Sequence, residues 1–148
     1  MADNEIIETT VERWHNFLRG NLEGGLDSLL HDECVFLSPI VFTPQRGREI
    51  TKTYLTAAGS TLAGGGVAPS GSNGSERRFR YVKQVLAGHH AVLEFETWIG
   101  DTLVNGVDII TCDDAGMITE FKVLIRPLQA VNAVHEQMRK ALEAAGQL

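Results

Sequence analysis

Val107-Asp108-Ile109-Ile110-Thr111-Cys112, then Asp113-Asp114-Ala115-Gly116, then Met117-Ile118-Thr119-Glu120-Phe121-Lys122-Val123-Leu124-Ile125, reads as two apolar strands joined by an Asp/Gly turn. The first strand carries a carboxylate, Asp108, among residues that belong in a core. An ionised carboxylate on a buried face costs several kcal/mol or more unless it is paired. A residue of that kind is either exposed after all or retained for a purpose, and Asp108 decides most of the functional reading.

Outward from this hairpin the strand pattern continues. Runs near 77–87, 90–99, 103–112 and 117–126 are separated by Ala87-Gly88, Gly100-Asp101 and Asp114-Ala115-Gly116, which predicts an antiparallel meander. Glu94, Glu96 and Trp98 share one face of the second run, so the odd-numbered face with Leu93, Phe95 and Ile99 is the expected wall of a core or pocket. Before the meander, Ile7, Val11, Trp14 and Leu18 recur at helical spacing after the N-cap candidates Asp3 and Asn4, and Gly20 stops the run. Leu26 to Leu30 predicts a short second helix, and Cys34-Val35-Phe36-Leu37-Ser38 a strand ended by Pro39. A third helix is expected from Glu49 to Ala58, with Ile50, Tyr54, Leu55 and Ala58 on one stripe and Gly59 as its stop signal. The Gly/Ser-rich stretch at about 60–75, densest from Gly64 to Ser75, has almost nothing to bury and is expected to be a mobile loop. After Pro127 an amphipathic helix is expected at about 128–145, carrying Leu128, Val131, Val134, His135, Met138 and Leu142.

A chain of 148 residues suits one domain with a real core, and no internal repeat is visible. The net charge of -6 argues against a nucleic-acid partner, which would need clustered Lys and Arg. The acidic opening Met1-Ala2-Asp3-Asn4-Glu5 has no basic region or secretory run, and no apolar stretch is long enough for a bilayer, so a cytoplasmic location is expected. Cys34 and Cys112 lack the spacing of a zinc site and read as small core hydrophobes. His31-Asp32-Glu33 has the composition of a metal cluster without its spacing, and is expected at a solvated helix-to-strand turn. His89 and His90 cannot chelate together from a regular strand. No metal site is expected.

Helices followed by antiparallel strands imply an α+β fold with helices on one face of a curved sheet. The order helix, short helix, strand ending Ser38-Pro39, Gly47-led helix and four-strand meander closing on Ile125-Arg126-Pro127 resembles the nuclear transport factor 2-like superfamily. More narrowly it is similar to the SnoaL-like polyketide cyclase and ketosteroid isomerase branches. The resemblance implies a cone-shaped, mainly antiparallel sheet with the N-terminal helices on its concave face, enclosing an apolar pocket. It also implies enzymes that need no cofactor, and dimers paired through their sheets. Asp108 falls where the isomerases keep a protonated aspartic acid that donates a hydrogen bond to a developing oxyanion, a device for which ketosteroid isomerase is the standard illustration. Their oxyanion tyrosine corresponds to Trp14 and their general-base aspartate to Ser38. A serine without a base partner cannot take a carbon-bound proton at neutral pH, so the full isomerase set is not present. The limonene epoxide hydrolase branch needs an aspartate on the last strand, where this chain has Val123 or its apolar neighbours.

The expected pocket is lined by Trp14, Phe36, Ser38, Tyr54, Phe95, Ile110, Phe121, Val123 and Ile125, a surface suited to a small hydrophobic, ring-containing ligand. Two readings of Asp108 stay open. It is the acid or base of an isomerase, cyclase or dehydratase, with Trp14 or Tyr54 orienting a carbonyl or hydroxyl; or it only satisfies a buried Trp14 indole or Tyr54 hydroxyl inside a noncatalytic small-molecule-binding or protein-interaction module. The apolar residues Val92 and Trp98 among the glutamates of the outer face point to a homodimer formed through the sheet, with the C-terminal helix closing the pocket or reaching the partner.

Overall fold

In a computed structural model of the chain, residues 4–61, 78–144 and 146 are described. The expected loop from Gly64 to Ser75 and the N-cap candidate Asp3 lie outside them. Amphipathic spacing forms helix α1 (Glu5–Leu18), which buries Ile7, Thr10, Val11 and Trp14. Asn4 stands at its N-cap without capping it; the side chain instead accepts a hydrogen bond from the Gly88 amide at 2.9 Å, tying the helix start to a strand turn. A 3-10 turn at Gly25–Ser28 replaces the expected short helix.

Six strands form one curved sheet: β1 (Leu30–Leu37), β2 (Gln45–Arg46), β3 (Arg80–Ala87), β4 (His90–Ile99), β5 (Thr102–Cys112) and β6 (Ile118–Arg126), in spatial order β2-β1-β6-β5-β4-β3. Among the described residues only β1 and β6 pair in parallel. With helices α2 (Arg48–Thr61) and α3 (Leu128–Ala144) the fold is α+β. The four meander strands follow the expected pattern closely. Strand β1 starts earlier than Cys34, and its register against β6 shifts between Leu30 and Val35. His31, Asp32 and Glu33 therefore lie in a bulged strand, where Asp32 pairs with Arg48 at 2.7 Å. Among the described residues no group of three or more His, Cys, Asp or Glu side chains is placed to hold a metal ion. No helix among them is long and apolar enough to cross a membrane.

Strand pairing arranges the inner face in rows. Ala91, Ile110, Phe121 and Phe36 form one; Leu93, Asp108 and Val123 the next; Tyr81, Phe95, Gly106 and Ile125 the third. Ala91 and Ile110 of the first row are sealed beneath α1 with Ile7, Val11, Leu29 and Leu30 in the larger hydrophobic cluster. The third row meets α3 in a smaller cluster built on Phe95, Val104, Ala130 and Val134. Tyr81 and Val123 pack against both clusters, and Asp108 lies in the row between them.

Gly106 makes this arrangement possible. A Cβ there would lie 2.5 Å from Cζ of Phe95 and 2.6 Å from the Leu124 carbonyl oxygen, so the bare backbone is the floor on which the Phe95 ring rests. Phe79 stacks on that ring at a centroid distance of 5.0 Å.

Candidate functional site

A cavity of about 190 Å³ opens between the two clusters, roofed by α1, α2 and α3 and floored by the inner sheet face. Its lining is almost wholly apolar. Trp14 comes from α1, Phe36 from β1, Tyr54 and Leu55 from α2, Phe95 from β4, Phe121, Val123 and Ile125 from β6, and Val134, Met138 and Leu142 from α3. Each element presents these residues because its amphipathic pattern turns one stripe or one strand face inward. The rings brace one another: Phe36 stacks on Tyr54 at 5.2 Å, and Trp14 meets Phe121 edge-on at 4.9 Å.

Asp108 is the buried carboxyl of this cavity, with 6% of its surface exposed. Its Oδ2 accepts a hydrogen bond from the Tyr81 hydroxyl at 2.5 Å, and that hydroxyl accepts one from the Trp14 indole N–H at 2.9 Å. Among the described residues no other hydrogen bond reaches the carboxyl. Burial pushes Asp108 up to about 7, only partly offset by the hydrogen bond from Tyr81, which favours the ionised form. Burial, followed by the adjacent Asp108 charge and the hydrogen bond to it, holds the Tyr81 phenol well above its ordinary value, so Tyr81 stays a donor at physiological pH. The cationic side chain on the cavity wall, Arg139, is held by Glu136 at 2.7 Å and Glu143 at 2.6 Å, and His135 lies exposed at the rim on the same helix.

The residues singled out in the sequence divide as follows. Trp14, Phe36, Ser38, Tyr54, Phe95, Phe121, Val123, Ile125 and Asp108 all border the cavity. Ile110 does not: it is fully buried one row away, inside the cluster sealed by α1. The parity of Ile110 and Asp108 along β5 is the same, and only the helix above each decides which of them faces space. Ser38 borders the cavity, yet its Oγ accepts hydrogen bonds from the Ile40 and Val41 amides at 3.0 and 3.2 Å, the pattern of a residue shaping its own turn. Trp14 spends its single donor on Tyr81, so it does not orient a ligand by that N–H. Ile50, expected on the inner stripe of α2, is 36% exposed, and Thr51 is buried instead. The partner of Asp108 that sequence reading missed is Tyr81. Its position on an edge strand of mixed polarity carries no periodic signal, and only the register of β3 against β4 brings it to the acid.

No protein-family model and no curated protein sequence matches the chain. Solved structures do. A steroid delta-isomerase from Pseudomonas aeruginosa is 27% identical, with 97% of this chain and 96% of that one covered at a TM-score of 0.81. An uncharacterised protein with a cystatin-like fold from Silicibacter pomeroyi is 25% identical, with 90% and 85% covered at 0.73. A nuclear transport factor 2-like protein of unknown function from Mesorhizobium loti is 19% identical, with 84% and 93% covered at 0.65. The class defined by fold and site is thus an α+β protein whose curved sheet and helices border an apolar cavity holding the buried acid Asp108. Its fold is that of these structures, a nuclear transport factor 2-like protein among them.

Proposed function

We propose that the protein is a cofactor-free isomerase, cyclase or dehydratase acting on a small hydrophobic, ring-containing molecule, with Asp108 as the group that takes and returns the proton. The observation that carries this reading is a carboxyl poised at about 7 in the floor of an apolar cavity. An acid or base works best when its pKa lies near the operating pH, because both protonation states are then populated, and such a group contributes about 10²- to 10⁴-fold in rate. A proton taken from a carbon or hydroxyl next to a ligand carbonyl and returned elsewhere on the same molecule, or in a dehydration to the hydroxyl that leaves as water, balances without a co-reactant. The aromatic walls formed by Trp14, Phe36, Tyr54 and Phe121 suit a flat ring, and the scarcity of other polar groups suits a ligand with few of its own.

The likeness to a steroid delta-isomerase suggests the first compound to assay, a steroid carrying a β,γ-unsaturated ketone. Moving one proton from carbon to carbon conjugates the double bond, and the conjugated ketone is followed by its absorbance. Asp108→Asn is expected to lower turnover by about 10²-fold or more while leaving the circular dichroism unchanged. A fully active variant removes this carboxyl from the reaction. One observation favours a second reading, a noncatalytic small-molecule-binding module: the Ser38 hydroxyl serves its own turn, leaving no second acid or base at that position. Binding of ring compounds without conversion across a panel of ketones and alcohols would select it.

We further propose a homodimer formed through the outer sheet face. Val85, Val92 and Ile109 lie in one cross-strand row there and Val107 and Leu124 in the next, with Val85 and Leu124 about half exposed. The flanking pairs Lys83–Glu94 and Arg80–Glu96 offer both signs of charge to an identical face. Sedimentation at micromolar concentration is expected to give a dimer that Leu124→Glu weakens.

A further inference from the structure

We infer that Tyr81 is a positioning residue: held between the Trp14 indole and Asp108 Oδ2, it fixes the carboxyl so that Oδ1 is the oxygen that exchanges its proton with the ligand. The inference rests on Asp108 being the proton-transferring group and assigns that role to one of its two oxygens.

The hydrogen-bond chain has a direction. The Trp14 indole nitrogen is only ever a donor, so the 2.9 Å contact places its proton on the Tyr81 oxygen. The Tyr81 hydroxyl has a single proton of its own, and Asp108 Oδ2, 2.5 Å away, is the one acceptor facing it among the described residues. Beside these partners the Tyr81 ring meets other rings, Phe79 edge-on at 5.0 Å, His15 at 5.4 Å and Phe95 at 6.4 Å, and borders the almost wholly apolar cavity. If the acid carried its proton on Oδ2, that proton would point at the phenol oxygen and the Tyr81 proton would have to turn toward these rings or into the apolar cavity. A donor left without an acceptor there forfeits its hydrogen bond, so the proton belongs on Oδ1 in the neutral acid. Oδ2 keeps the same partner in both protonation states, and the carboxyl does not have to rotate between taking a proton and returning it. An oxygen aimed without reorganisation is worth rate, since small misplacements of a reacting group are costly.

Two further features fit a positioning role. Tyr81 packs against both hydrophobic clusters, so its ring is held by the sealed core as well as by the cavity wall. The strand register also shifts between Tyr81 and Lys83, a bulge that sets the ring direction independently of the regular pleat.

Tyr81→Phe keeps the ring and its packing and removes only the hydroxyl. Carboxyl-¹³C NMR of aspartate-labelled protein is expected to show the Asp108 midpoint, near 7 in the unmodified chain, moving upward in Tyr81→Phe, because the hydrogen bond that favours the ionised form is gone. In Trp14→Phe it is expected to move the same way by less. A low-field hydroxyl proton resonance, absent from Tyr81→Phe, should persist on both sides of the Asp108 midpoint in the unmodified chain. With any ketone that the protein converts, Tyr81→Phe should lower kcat about 10- to 100-fold with KM within about twofold. An unmoved or lowered Asp108 midpoint in Tyr81→Phe overturns the positioning role, and loss of the hydroxyl resonance below the midpoint overturns the assignment of Oδ1. Turnover lost in Asp108→Asn alongside an unmoved midpoint in Tyr81→Phe rejects the positioning role and keeps the acid. A raised midpoint in Tyr81→Phe with full turnover in Asp108→Asn rejects proton transfer by Asp108, and with it the inference.

Discussion

Ile110 and Asp108 stand two residues apart on the same face of β5 and live in different environments. Ile110 pairs with Ala91 and Phe121 in the cluster under α1, and none of its surface remains exposed. Asp108 pairs with Leu93 and Val123 one row further along, where the roof parts and the cavity begins. One half of the sheet face is close-packed for stability, and the adjacent half leaves space and holds an acid in it. The difference shows how a single amphipathic strand serves both purposes: the pleat decides which residues turn inward, and the roofing helices decide which of those meet packing and which meet a void.

The sharpest way to separate the two environments is the pH dependence of stability. Asp108 has a folded pKa of about 7, above the roughly 3.9 of an unfolded aspartate, so between those values the folded state binds the extra proton. Its contribution is fully present below about pH 4 and is lost as pH rises through 7. It amounts to roughly 4 kcal/mol between the two limits. Chemical denaturation of the unmodified chain and Asp108→Asn across pH 4 to 8 should therefore diverge, with the variant gaining relative stability as pH rises; parallel curves would place Asp108 outside any desolvating environment.

Ile110→Ala should behave as a core truncation, costing about 2 to 5 kcal/mol at any pH in that range, by denaturant midpoint. A loss much below this would mean that the row beneath α1 is as loosely filled as the row beside it. Gly106→Ala tests the floor on which the cavity wall rests. The added methyl meets a ring and a carbonyl oxygen at once, and the expected cost is about 1 to 3 kcal/mol, with displacement of Phe95 seen as shifted aromatic resonances. The smallest effect is expected on the open surface. Phe42 is fully exposed in the loop after β1, so Phe42→Ser should change stability by no more than about 0.5 kcal/mol.

Much of the fold was legible because its signals are local. Period-two alternation with turn residues located β3 to β6 within a few positions, and helical spacing located α1 and α3. Strand β2, two residues long, has no period to read, and the bulged half of β1 reads as a turn because its polar run His31-Asp32-Glu33 imitates one. In the site, Asp108 was legible as a carboxylate out of place among apolar residues, and most of the cavity lining as large residues on inward faces. Tyr81 was not, since its significance lies in a contact spanning 27 residues to Asp108 and 67 to Trp14. Ser38 borders the cavity, and which way its hydroxyl bonds depends on the turn that follows.

By itself the sequence determined the elements, the faces they bury and the presence of one acid among apolar side chains, because periodicity and desolvation act on residues near one another in the chain. Tertiary structure alone decided that Ile110 is sealed while Asp108 borders space, that Tyr81 rather than Tyr54 or Trp14 bonds the carboxyl, and that the indole is spent on the phenol. Those outcomes depend on strand register and on where helices from opposite ends of the chain come to rest, and a shift of one residue in either would exchange the partners.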